Sequence, residues 1–104
     1  MAVTWTRVAG INDIDDEGMV PLEIAGRRLA LYRVGGAWYC TDNVCTHAFA
    51  LLTEGWLEEF TVECPIHQGQ FDIRTGKALC APVSEDLATY EVQVEGTDVL
   101  VALP

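Results

Sequence analysis

The sequence predicts an all-β protein: an antiparallel β-sandwich or barrel formed from the two ends of the chain, with a small irregular subdomain inserted between them. Three observations carry this. Both terminal thirds break into short runs rich in Val, Ile, Leu, Tyr and Thr, separated by glycine-bearing turns. The middle, residues 42–76, shows neither a helical nor an alternating period. That same middle holds both histidines and two of the four cysteines.

In chain order, strands are expected at residues 3–8, 20–24, 27–34 and 37–41. The links Ala25-Gly26 and Gly35-Gly36 suit two-residue hairpins, in which the backbone takes positive φ. The last third gives a strand over 88–94, with Tyr90, Val92 and Val94 on one face, then a turn over 95–98 and a closing strand over 99–103. Trp5, Trp38 and Trp56 read as core aromatics. Cys40 and Cys80 read as small buried apolar residues at strand ends. The acids Asp13, Asp15, Asp16 and Glu17 read as a solvated loop. In the middle, Phe49, Leu51, Leu52, Trp56, Leu57, Phe60 and Phe71 make the segment too apolar for disorder, so it should be organised around something that completes its core.

A chain of 104 residues, half of them apolar, suits one domain spanning 1–104. Sixteen acids against six bases give a formal charge of −10. That balance excludes nucleic acid as a natural partner, because phosphate backbones need Lys and Arg to displace their counterions, and it favours a partner with a basic docking face. The first ten residues have neither a basic nor an apolar leader pattern, and the longest apolar runs, 48–52 and 99–103, are too short to span a bilayer. A soluble cytoplasmic protein is expected, with no membrane contact, and in that reducing setting metal binding outranks disulfide pairing for the cysteines.

The chemistry concentrates in Cys45-Thr46-His47 and, sixteen residues on, Cys64-Pro65-Ile66-His67. Each segment offers one thiolate and one imidazole. Two sulfurs and two nitrogens are the ligand set of a 2Fe-2S centre in which two Cys hold one iron and two His the other. A structural zinc site takes the same donors, although zinc segments usually pair like with like whereas both segments here are mixed. A Cys/His catalytic pair is disfavoured, since a nucleophile needs one activated thiol and an orienting third group rather than two equivalent loops.

The double motif resembles the Rieske iron-sulfur family. The likeness runs over most of the chain, through Cys64-Pro-Ile-His-Gln-Gly-Gln-Phe-Asp72, the Thr75-Gly76-Lys77 turn and the closing hairpin. The length, the Thr41-Asp-Asn-Val-Cys-Thr-His47 lead-in and the Ala78-Leu-Cys-Ala-Pro82 stretch resemble the ferredoxin components of bacterial aromatic-ring hydroxylating dioxygenases, especially the naphthalene type. The resemblance implies a Rieske fold and one 2Fe-2S cluster held by Cys45, His47, Cys64 and His67, with the two imidazoles on a solvent-facing edge. It also implies turn amides around Gln68 and Gly69 that stabilise cluster charge, and a loop at Pro82 that covers the cluster. The implied role is one-electron transport without substrate turnover. A flavoprotein that oxidises NAD(P)H would donate the electron and a terminal Rieske non-haem iron oxygenase would accept it, each in a brief complex with a monomeric carrier.

Departures refine the expectation. Where respiratory Rieske proteins carry extra cysteines and cluster-bonding hydroxyls, this chain has Ala50, Ile66, Gly69 and Phe71. That places the potential near the low end of a range of about −150 to +300 mV. Asp86 stands where many relatives have a second proline, which predicts a less rigid Pro82 loop. The small Rieske subunit of a nitrite reductase and a zinc-stabilised interaction module are the alternative functions.

Overall fold

The computed structural model describes residues 3–46, 49–66 and 68–104. Ten strands follow in order: β1 Thr4–Gly10, β2 Gly18–Ile24, β3 Arg27–Val34, β4 Ala37–Asp42, β5 Trp56–Glu58, β6 Thr61–Glu63, β7 Gln70–Asp72, β8 Thr89–Tyr90, β9 Val92–Glu95 and β10 Asp98–Leu103. One 3-10 turn, Leu52–Glu54, precedes β5. They form three antiparallel sheets, ordered β1-β10-β9, β2-β3-β4-β8 and β5-β6-β7. The all-β, antiparallel prediction is therefore the observed architecture. Among the described residues no helix is long and apolar enough to cross a membrane.

Strand β3 organises the molecule because both of its faces are buried. Leu29 and Leu31 point into one core with Ala9, Ile14, Cys40, Val99, Val101 and Leu103, which joins the two larger sheets. Ala30, Tyr32 and Val34 point the other way, into a second core with Leu52, Val62, Phe71, Ile73, Cys45 and Cys64. A run in which four consecutive residues are fully buried is what a strand between two layers requires. The small third sheet and the cysteines thus hang on the back of the sandwich. The predicted β2–β3 hairpin is present, and both turn residues, Ala25 at φ 52° and Gly26 at φ 78°, have the positive φ that a tight twisted hairpin demands.

Three expectations need correction. The single strand over 88–94 is two: Thr89–Tyr90 pairs with β4 and Val92–Glu95 with β10, so the chain changes sheet at Glu91. Val94, near the end of β9, is exposed. Trp5 and Trp56 are exposed, each on the outward side of its strand, while Trp38 packs on the first core with the Arg33 guanidinium 5.2 Å from its ring. Cys40 is buried as expected, but Cys80 is exposed because it sits in a turn, where the Val83 amide donates to its carbonyl at 3.2 Å, and not at a strand end. The acidic loop after β1 is exposed at all four acids, as a solvated loop should be, and it is also tied down. Asp13 accepts from the Gly10 amide at 2.7 Å, Asp16 accepts from the Gly36 amide at 3.0 Å, and Arg33 donates to the carbonyls of Ile11 and Ile14 at 3.0 Å.

Candidate metal centre

Two short spans of chain carry the thiols of the double motif, and the same device closes both. Val44 bridges Leu51, and the next pair inward is the Cys45 amide donating to the Ala50 carbonyl at 2.9 Å. Likewise Glu63 pairs with Gln70 across β6 and β7, and the Cys64 amide donates to the Gly69 carbonyl at 2.7 Å. Each cysteine therefore ends a hairpin arm, with four residues between it and its partner in sequence: Cys45 pairs with Ala50 and Cys64 with Gly69. In sequence, His47 is the second of the four residues between Cys45 and Ala50, and His67 the third of the four between Cys64 and Gly69. Both histidines lie outside the described residues.

The two thiols meet in the second core. Cys45 is 4% and Cys64 0% exposed, among Ala50, Leu52, Val62, Phe71, Val83 and Leu87. Burial pushes the Cys64 thiol up to about 11; the Ile66 backbone N–H, aimed at its sulfur, opposes this, and a side-chain hydrogen bond and charge interaction with Cys45 add to the rise. Two buried thiols held against each other cannot both ionise in apolar surroundings unless a cation takes up their charge. The donor set fits a metal centre that supplies that charge, and the amide on the sulfur fits a ligand whose electron density is tuned by hydrogen bonding.

The segment from Gly76 to Leu87 clasps both ligand loops. Its ends are joined by the Leu87 amide donating to the Gly76 carbonyl at 2.7 Å, and Val83 packs against Gly69 on the second loop. On the first loop, the Thr46 hydroxyl donates to the Glu85 carbonyl at 2.8 Å. Pro82 itself is exposed at the crest of the clasp. Where the proline-to-Asp86 departure predicts slack, the Asp86 carboxylate accepts the Ala78 amide at 2.9 Å and ties the two arms together. A hydrogen bond here takes the place of ring stiffness. Gln68, exposed and at φ 59°, turns the second loop back towards its arm, and its carbonyl lies 3.9 Å from the Cys80 sulfur.

Asn43 is a contributor that sequence reading did not single out. It is 1% exposed, and its side chain accepts the Thr53 amide at 3.0 Å and donates to the Thr53 hydroxyl at 2.9 Å. Its backbone bonds the Arg28 carbonyl and the Leu52 amide. This fully paired buried polar group fixes the root of the first ligand loop to β3. The only sequence signal is its place two residues before the first cysteine, in a stretch with other polar residues that do not mark it out.

Comparison with known proteins agrees with this geometry. The family profile described as "Rieske [2Fe-2S] domain" matches residues 4–91. The ferredoxin component of the naphthalene 1,2-dioxygenase system of Pseudomonas putida is 45% identical over 103 residues, 99% of each chain. Among solved structures, the ferredoxin of carbazole 1,9a-dioxygenase from Nocardioides aromaticivorans superposes with a TM-score of 0.93 at 33% identity, over 97% of this chain and 99% of that one. A ferredoxin solved in complex with the carbazole 1,9a-dioxygenase oxygenase gives 0.90 at 36% identity, over 94% and 92%. A chain described as an NADH-dependent nitrite reductase small subunit from Mycobacterium tuberculosis gives 0.86 over 98% and 96%, but at 21% identity it shows a common fold alone.

Proposed function

The chain belongs to the Rieske [2Fe-2S] family, and from that premise we propose that it carries single electrons from a flavin-containing, NAD(P)H-oxidising reductase to a terminal Rieske non-haem iron oxygenase acting on aromatic rings. Members of this family hold a 2Fe-2S cluster, which supplies one-electron chemistry when bound. It is an electron-transfer component, as its ferredoxin relatives are, and not a catalyst in its own right. We assign Cys45, His47, Cys64 and His67 as the ligands. The observation that carries this is the pair of matching hairpin arms, which bring the two cysteine sulfurs together in one apolar core.

The remaining residues exclude water from the sulfurs and hold the two loops in register. Val83 covers Gly69, Thr46 ties the first loop to Glu85, and the Ile66 amide is directed at Cys64. Around the loop tips, Phe49 is 90% and Ile66 39% exposed, with Pro82 also exposed. Such apolar side chains on a charged surface suit small, short-lived redox encounters. The shared strand β3 supports reading the chain as one domain with a cluster-binding subdomain at about 42–76. A monomer in the cytoplasm follows from the same carrier role.

Dithionite-reduced protein should give a rhombic electron paramagnetic resonance spectrum with the low average g value of mixed Cys/His ligation, after showing visible absorption when oxidised. A colourless sample with stoichiometric zinc would end the electron-carrier reading.

A further inference from the structure

Among the described residues, no other strand pairs with β5-β6-β7 and no core cluster includes its outer face. Alternation sends Leu57, Val62 and Phe71 into the core, so Trp56, Glu63 and Gln70 form one cross-strand row on the opposite side and Glu58 and Thr61 lie in the next. There Trp56 is 61% exposed, a large apolar surface left in water. It lines a groove of about 510 Å³ whose other walls are Glu58, Glu59, Thr61, Glu63 and Gln70.

The charge of this groove is uncompensated. Three carboxylates line it, and among the described residues no arginine or lysine does. Arg74, on the neighbouring turn, is held by Asp72 at 3.0 Å and lies with its guanidinium 4.3 Å from the Phe60 ring. Arg33 likewise covers Trp38. Two of the chain's rings thus hold a guanidinium, and Trp56 offers a similar seat, flanked by carboxylates, with no Arg or Lys lining it among the described residues. A planar guanidinium is the group that both an indole face and a carboxylate bind well.

The geometry points to this face as a docking surface for an arginine-bearing basic patch on a redox partner protein, a second foothold beside the loop tips. It rests on the electron-carrier reading. Its position suits that role: Glu63 immediately precedes Cys64, and Gly55 lies so close that a Cβ there would strike the Glu63 carbonyl and crowd the Pro65 ring. A partner anchored on Trp56 is therefore held beside the second ligand loop. Charge complementarity of this kind acts on encounter and orientation.

The test uses cluster-loaded protein and the cognate reductase and oxygenase separately. Wild type is compared with Trp56→Ala, with Glu58→Gln/Glu59→Gln, and with a control, Asp15→Asn/Glu95→Gln, that removes two exposed charges elsewhere. Visible absorption verifies each cluster; if Trp56→Ala loses it, the glutamate pair carries the test. For at least one partner, the groove variants should raise the half-saturating concentration about three- to tenfold with the maximal rate kept, while the control stays near wild type. High salt should erase the difference for the glutamate pair. Groove variants that match the control with both partners would overturn the proposal. So would a Trp56→Ala effect confined to self-association in sedimentation velocity, which would make the face a contact between copies. If wild type itself exchanges no electrons with either partner, it is the carrier reading that fails.

Discussion

Gly69 and Val83 pack so closely that a Cβ on residue 69 would stand 2.5 Å from Val83 Cγ1. The clasp closes over the second ligand loop only while that position has no side chain. Gly69→Ala should therefore push Val83 (5% exposed) out of the cluster-side core and cost about 1–3 kcal/mol, the usual scale of overpacking. Thermal unfolding of the cluster-loaded protein measures this. The double variant Gly69→Ala/Val83→Ala should recover part of the loss, and equal loss in single and double variants would show that the contact is not the cause.

Asp86 provides a sharper comparison. Its carboxylate accepts the Ala78 amide, and Asn keeps an acceptor oxygen at that place while Ala does not. Asp86→Ala should speed cluster loss to a chelator several-fold, since the clasp then lacks its tie between arms, and Asp86→Asn should stay near wild type. If both variants lose the cluster equally fast, the carboxylate acts by charge rather than as an acceptor.

Much of this architecture was legible in the residues. Gly and alternating Val, Leu and Tyr mark the hairpins because turn sterics and strand pleat are local properties, and β3 matches its predicted bounds, Arg27–Val34. What was missed depends on contacts distant in sequence. Glu91 marks a change of sheet that no local period can reveal. Trp56 and Trp5 carry the same apolar signal as a core residue, and only the opposing strand decides which way each faces. The double Cys/His motif was visible because ligand spacing is itself local, whereas the Thr46 tie to Glu85 spans 39 residues and left no mark. The same holds for Asp86, where the sequence predicts slack and a carboxylate supplies the tie.

The ligand assignment separates the four cysteines into two pairs. Cys45→Ser or Cys64→Ser should abolish the oxidised visible absorption, and His47→Ala or His67→Ala should do the same or leave an unstable centre. Cys80→Ser should keep the spectrum, because that thiol is exposed in the clasp rather than in the core with Cys45 and Cys64. Cys40→Ala should keep it too, since Cys40 belongs to the other core. Loss of the spectrum in Cys80→Ser with retention in Cys64→Ser would move the ligand set.

Cys40 also dictates how the protein responds to alkali. Burial pushes its thiol up from 9.0 to about 12, and the nearby Asp42 carboxylate adds to the rise. A raised folded-state pKa means that the native state keeps a proton that the unfolded chain gives up, so the stability tied to it is whole below pH 9 and is lost as pH climbs towards 12. Tyr90 acts in the same direction from a higher starting point. Partial burial, then the 2.6 Å hydrogen bond to Asp42, raise it from 10.0 to about 12, and its partial exposure makes its share smaller. Buried Tyr32, bonded to Thr41, is raised as well. In cluster-loaded protein, where Cys64 is a ligand rather than a free thiol, the onset near pH 9 therefore belongs to Cys40, and the tyrosines join above pH 10. Cys40→Ala should be less stable at neutral pH, because it leaves space in a packed core, yet its urea midpoint should fall less between pH 9 and 10 than that of wild type. Parallel midpoints across that interval would mean that Cys40 titrates alike in both states, and the alkaline sensitivity would then pass to the tyrosines alone.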